Sequence, residues 1–299
     1  MTKLHLDPAR YDSLTVALDR GVALVTIDRP PRNALVPTTM IEMRDVMAHL
    51  DADEDVRCIV VTGAGKYFCS GADLTRPGLL DPETGTVDRV LMKKLRADHR
   101  VARNLISKDL PEVRVPVIAA INGSAVGGGL TLTLAADIRI IAEDAKLSFA
   151  FVRRGLGPEH GMTWLLPRLV GLSAAMDLLL TGRQIDGREA LRIGLVSRAL
   201  PAVEVLTDAL ETARSIADNC APLALAVTKQ TTWAHAAEPS FVRATRNEKA
   251  LIDWITQQAD AREGIKSYME KRSAQWSSSG REELPSFVAS LFETVVEEY

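Results

Sequence analysis

The chain has 299 residues, 46% of them hydrophobic, and a net charge of -3 from 36 basic and 39 acidic side chains. That supplies a large core in one or two domains, and the absence of a basic excess argues against nucleic acid or an anionic membrane as main partner. Cys58, Cys69 and Cys220 form no CxxC pair and read as reduced core or near-core thiols. MTKLHLDPARYDS has no signal-peptide pattern, and no apolar run nears the roughly 20 residues that span a bilayer, so the expectation is a cytoplasmic protein.

In chain order, SLTVALD and GVALVTID are β-rich and meet as a hairpin at residues 19–21. PTTMIEMRDVMAHLDAD carries a helical stripe of Met40, Met43, Val46, Met47 and Leu50, with Thr38 or Thr39 as its cap after Pro37. VRCIVVTG, VPVIAAING and IRIIAED are continuous apolar runs of strand length, as strands buried on both faces of a parallel sheet require. Between the first two, LTRPGLLDPETGT is rich in turn formers and VDRVLMKKLRADHRVARNLISKDL reads as a long amphipathic helix. Strands alternating with helices predict parallel βαβ units. After residue 160 the pattern turns helical, with LVSRAL as the one strand expected there. SSSG reads as a linker to a short amphipathic helix carrying Phe287, Leu291 and Val295.

Two glycine-rich turns follow buried strands: TGAGKYFCSGADL and NGSAVGGGL. Neither has the spacing of a P-loop or of the GxGxxG dinucleotide fingerprint. Both fall at the C-terminal ends of strands, where open α/β sheets place ligands. Glycine lets a ligand atom reach the backbone N–H, and the first N–H groups of a helix lack intrahelical partners and attract negative charge. Two such N–H groups aimed at one point would stabilise charge developing on an oxygen. The structural alternative is that these glycines serve only tight helix–strand packing.

The run of motifs from VALVTIDRPPRNAL through VRCIVVTGAGKYFCSGADL, VPVIAAINGSAVGGGLTLTLAADIRIIAEDAKL, WLLPRLVG, LLLTGRQIDGREALRIGLV and APLALAVTKQ to EGIKSYMEKR resembles the crotonase superfamily, the enoyl-CoA hydratases and isomerases. The resemblance spans about residues 14–272. It implies an α/β fold of the crotonase (ClpP-like) type, a spiral of ββα units with a helical C-terminal trimerisation region. The expected layout is a β/α core with an acyl-CoA site over 1–200, a helical region for oligomerisation and CoA contact over 201–275, and a linker and short tail over 276–299. It implies a homo-trimer or dimer of trimers, an acyl-CoA thioester substrate, and no cofactor or metal beyond the coenzyme A of that substrate. Carried over position by position, the oxyanion hole is the N–H of Ala72 in SGAD and of Gly128, the middle glycine of GGG. CoA would lie against Arg32, Ala34 and Leu35 of RPPRNAL and against Ser70, Asp73 and Leu74 of SGADL, with Gly127, Thr131 and Phe151 as further candidate substrate contacts. Lys271 in MEKR matches the family lysine that reaches the CoA phosphates.

Hydratases of this family hold the attacking water between two glutamates. Those positions are Thr131 and Phe151 here, and neither is a base near neutral pH. One carboxylate remains nearby, Glu159 in RRGLGPEHGMTW, just before a helix starting near Met162. In the 3-enoyl to 2-enoyl-CoA isomerases a single glutamate in a similar setting shuttles the proton. The resemblance with Glu159 as candidate base therefore implies isomerisation. The alternatives are a hydratase or hydrolase using another base, with His160 or Asp73 as candidates, and an acyl-CoA binder without catalysis. Glu159 as a mere helix-terminal charge, and Lys271 as a plain solvated one, are the bland readings. Arg153 and Arg154 are left open between CoA and subunit contacts.

Overall fold

The computed structural model describes residues 11–74 and 110–281. All but the first residue of the expected turn-rich loop, nearly all of the long helix after it, and the Phe287–Leu291–Val295 stripe lie outside the described residues. A six-stranded sheet forms the centre, in the order β1 (Leu14–Asp19), β2 (Val22–Ile27), β3 (Cys58–Gly63), β5 (Val117–Ile121), β7 (Ile138–Ala142) and β10 (Arg198–Leu200). The β1–β2 hairpin is antiparallel, and Arg20 and Gly21 turn it with φ of 47° and 76°. That is the two-residue turn whose twist matches the strands it joins. From β2 onward every pairing is parallel. All residues of β3 and β5 are buried, which is why they read as unbroken apolar runs rather than alternating ones.

A second, four-stranded sheet takes β4 (Tyr67–Cys69), β6 (Ser124–Val126), β8 (Leu147–Ser148) and β9 (Gln184–Ile185). β4, β6 and β8 each follow a central strand within a few residues, so the chain steps from the large sheet to the small one and spirals onward. Sequence reading missed this sheet because strands of two or three residues carry no periodicity. α1 (Pro37–Ala52) buries Met43, Val46, Met47 and Leu50 as the stripe predicts. Its cap differs: Val36 is the N-cap, no side chain bonds the helix end, and Pro37 takes the first turn. The Thr39 hydroxyl instead donates to Ser13 Oγ at 3.0 Å. α2 (Gly128–Leu134) is wholly buried against the small sheet. α3 (Met162–Val170), α4 (Leu172–Thr181) and α5 (Gly187–Arg192) follow, and α6 (Ala202–Asn219) covers the central sheet through Val205, Ala209 and Ala213. α7 (Pro222–His235), α8 (Phe241–Ile255) and α9 (Ala259–Glu270) complete the helical region.

The SSSG segment is not a free linker. Asp260 in α9 is only 5% exposed, and its carboxylate accepts from the N–H and hydroxyl of both Ser277 and Ser278. Ser278 Oγ also accepts from Leu223 N–H, Gly280 packs on Pro222, and the Arg281 guanidinium reaches the carbonyls of Leu50 and Asp51. The strap thus ties α9, α7 and α1 together. Burial by itself would raise the Asp260 carboxyl, and the serine hydrogen bonds outweigh it and hold it below the usual aspartate range. Ending the chain at residue 276 removes those four hydrogen bonds together with the strap's contacts to α7 and α1, at a cost of about 2–4 kcal/mol. Melting should fall by about 5–10 °C relative to the full chain in neutral buffer. A depressed folded pKa stabilises above about pH 4, and its contribution is lost as pH falls further. The melting gap between the two chains should therefore narrow in acid. Equal melting temperatures at pH 7 would show that the strap carries no stability.

Candidate active site

The two glycine-rich turns lie side by side. Leu35 and Ala72 form a parallel bridge in which Leu35 N–H donates to Gly71 O at 2.7 Å and Asp73 N–H to Leu35 O at 2.9 Å. Both bonds belong to the neighbours of Ala72, so its own N–H points to the other edge. Gly71 packs on the triple-glycine turn: a Cβ there would lie 2.5 Å from Val126 O and 3.8 Å from Gly127 Cα.

The three glycines meet three different demands. Gly127 has φ 52° and ψ −125° at the N-cap of α2, a conformation closed to side chains. Gly129 packs so closely on Cys69 that a Cβ would collide with its Sγ. Gly128 faces three side chains: a Cβ there would sit 3.0 Å from Glu159 Oε1, 3.5 Å from Leu35 Cδ1 and 3.6 Å from His160 Cδ2. The first backbone bond of the helix runs from Thr131 N–H to Gly127 O at 3.0 Å, which leaves the N–H groups of the first turn without intrahelical partners.

Glu159 arrives on a tight turn into α3. Its carbonyl accepts from Met162 N–H at 3.1 Å, while His160 and Gly161 take φ of 55° and 80°. The Glu159 side chain is 43% exposed, and its Oε2 lies 3.6 Å from His160 Nε2. Phe151 is buried, and its ring edge would be 3.8 Å from a Cβ on Gly127. Thr131 is fully buried, and its hydroxyl donates back to Gly127 O at 3.2 Å, so it fastens its own helix turn rather than facing outward. Asp73 is held by Arg29 at 2.9 Å, which removes it as an unencumbered base.

Arg32 and Leu74 are exposed, Ala34 and Ser70 are half-buried, and Leu35 is buried. Lys271 is exposed at the C-cap of α9 with φ 54° and is not among the atoms that close around Gly128. Burial pushes the Cys69 thiol up to about 12, so it stays protonated and acts as packing. Cys58 is likewise buried and free. Among the described residues no three His, Cys, Asp or Glu side chains converge as a metal site requires.

Sequence reading passed over Arg29 and Asn33. Asn33 is buried with φ 54°, and its Nδ2 donates to the carbonyls of Ala64, Tyr67 and Phe68 while its Oδ1 accepts from Arg29 N–H. Arg29 adds bonds to Ala34 O and Asp73. Together they fix the first glycine-rich turn against RPPRNAL. The available signal was an asparagine after a proline pair, since asparagine tolerates positive φ better than most residues.

Comparison with known proteins gives one consistent picture. The family model described as enoyl-CoA hydratase/isomerase matches residues 18–279. Enoyl-CoA hydratase ACTT3 of Alternaria alternata is 39% identical over 254 residues, covering 84% of this chain and 81% of that one. The crystal structure of an enoyl-CoA hydratase from Bacillus anthracis superposes with a TM-score of 0.77 at 30% identity, covering 89% of this chain and 99% of that one. DspI of Pseudomonas aeruginosa gives 0.79 at 32% identity, covering 91% and 99%.

Proposed function

The chain belongs to the enoyl-CoA hydratase/isomerase family and has the crotonase fold, and from that premise we propose that it moves the double bond of a 3-enoyl-CoA to the 2-position, with Glu159 as the sole proton carrier. The observation that carries this reading is Glu159 Oε1 standing against Gly128 while the two positions used by family hydratases hold Thr131 and Phe151. The thioester oxygen sits at the N–H groups of Ala72 and Gly128, the two turns that the structure brings side by side. Glu159 takes a proton from the α-carbon, and the electron pair moves into a dienolate whose negative charge rests on that oxygen. One oriented donor of this kind contributes about 3–4 kcal/mol to such a transition state. Glu159, now protonated, returns the proton to the γ-carbon, and the double bond closes between the α- and β-carbons. The Phe151 ring walls this space with apolar surface and disfavours a bound water. Arg32, Ala34, Leu35, Ser70 and Leu74 flank the path of the CoA chain, and Lys271 is the candidate contact to its phosphates.

The oligomer belongs to the same proposal. Phe241 and Tyr268 are 80% and 83% exposed, and with Val242, Ile252, Ile265 and Met269 they leave α8 and α9 with apolar surface of the kind that marks interfaces. We propose a homo-trimer or a dimer of trimers.

A second reading, hydration of a 2-enoyl-CoA, is favoured by the similarity to the enoyl-CoA hydratases named above and by His160 beside Glu159 as a second group able to carry a proton. The two readings separate on the wild-type protein. Isomerisation of 3-hexenoyl-CoA should exceed hydration of crotonyl-CoA by at least about tenfold in kcat/KM, since adding water needs two positioned acid–base groups. Equal or faster hydration would replace the isomerase reading with the hydratase one.

A further inference from the structure

We propose that His160 is a positioning residue for Glu159: its imidazole holds one carboxylate oxygen so that the other faces Gly128. The inference rests on the reading of Glu159 as the base. Neighbouring residues in an extended or helical chain point in different directions, so a Glu–His pair is seldom delivered to one spot. Here it is, because His160 takes φ 55° and Gly161 takes φ 80°, which folds both side chains back onto the same glycine. Glu159 Oε1 and His160 Cδ2 would lie 3.0 Å and 3.6 Å from a Cβ on Gly128. A left-handed histidine is uncommon, and strained conformations of this kind persist where the surroundings hold them, often at functional sites.

The pairing assigns the two oxygens different tasks. Oε2 lies 3.6 Å from His160 Nε2, slightly beyond hydrogen-bond length, and Oε1 is the oxygen turned to Gly128. Left to itself, a glutamate side chain with 43% exposure on a loop would sample several rotamers, most of them unproductive. The His160 side chain is the more enclosed of the two at 21% and can restrict the other. Oε1 then serves both the α- and the γ-carbon, and the carboxylate need not rotate between the two transfers. A misplacement of about 1 Å in a reacting group can cost on the order of a hundredfold in rate.

The test follows removal of the α-proton of butyryl-CoA in deuterated buffer, which reads proton abstraction whatever the overall reaction. His160→Asn and His160→Gly both accommodate positive φ, so the loop should keep its course. Both should slow exchange and turnover about tenfold to a hundredfold in kcat, with KM within about threefold. His160→Gln, whose amide nitrogen can reach Oε2, should recover much of the loss. Added to Glu159→Gln, either His160 variant should cost nothing further, because its only route to the reaction has gone. His160→Asn and His160→Gly at wild-type rates would overturn the positioning role while leaving Glu159 as base. Losses that multiply in the double variant would overturn it as well, by making His160 an independent participant. Unimpaired exchange in Glu159→Gln would instead defeat the reading of Glu159 itself.

Discussion

Glu159→Gln should lose about a thousandfold or more in turnover of a 3-enoyl-CoA, with dissociation constants for unreactive acyl-CoA changed by no more than about threefold. Glutamine keeps the volume of the side chain and much of its hydrogen bonding, so the turn from residue 157 to 161 has no reason to reorganise. What it lacks is basicity, and general-base catalysis is worth about a hundredfold to ten-thousandfold. The upper part of that range applies here because, among the described residues, no second free carboxylate stands beside Gly128. Thr131 is bonded to its own helix, Phe151 is apolar, and Asp73 is held by Arg29. The binding contacts proposed for CoA lie on other residues, which is why affinity should be spared. The checking measurement is kcat and KM for isomerisation together with calorimetric binding of butyryl-CoA. A variant at full speed would return the search to His160.

Much of this arrangement was legible in the sequence. The central strands announced themselves because burial on both faces forces an unbroken apolar run, as in CIVVTG and VIAAI. The triple glycine was legible as a place of close approach, though not as three separate demands. Only the folded structure reveals that Gly129 answers to Cys69, Gly127 to its own dihedral angles and Gly128 to the side chains of Glu159, Leu35 and His160. The small sheet was hidden by the shortness of its strands. The strap at Ser277 and Ser278 was misread because serine and glycine are flexible-linker residues by composition. Their partner, Asp260, lies 17 and 18 residues upstream, and no local pattern reveals that a buried carboxylate awaits four donors there. Glu159 was singled out by its resemblance to the single glutamate of the family isomerases, with Thr131 and Phe151 at the two hydratase positions. Its convergence with His160 depends on two left-handed residues in succession, which sequence does not declare when one of them is a histidine. Asn33 went unnoticed because its partners are backbone groups, which leave no mark in side-chain spacing, and Arg29 because its carboxylate partner, Asp73, lies 44 residues away.

Gly128→Val should be the most damaging single change that leaves the protein folded. A Cβ at this position meets the far end of the Glu159 side chain first, and that end can swing aside into solvent. The fold should therefore tolerate the substitution, with little change in melting temperature. Gly129→Ala makes the contrast, since its Cβ would run into Cys69 within the core, and there stability should fall. For Gly128→Val three losses coincide. The valine methyls occupy the space proposed for the thioester oxygen, the N–H donor loses its line of approach, and Glu159 is pushed off its station. Loss of one donor alone accounts for about a hundredfold to a thousandfold, and displacing the base adds to it. Turnover should drop to about background, and acyl-CoA affinity should weaken as well because the carbonyl no longer fits. That fall in affinity distinguishes this variant from Glu159→Gln, in which the hole remains intact and empty of obstruction. If Gly128→Val kept turnover within a few-fold of wild type, the thioester oxygen would have to be bound somewhere other than between Ala72 and Gly128.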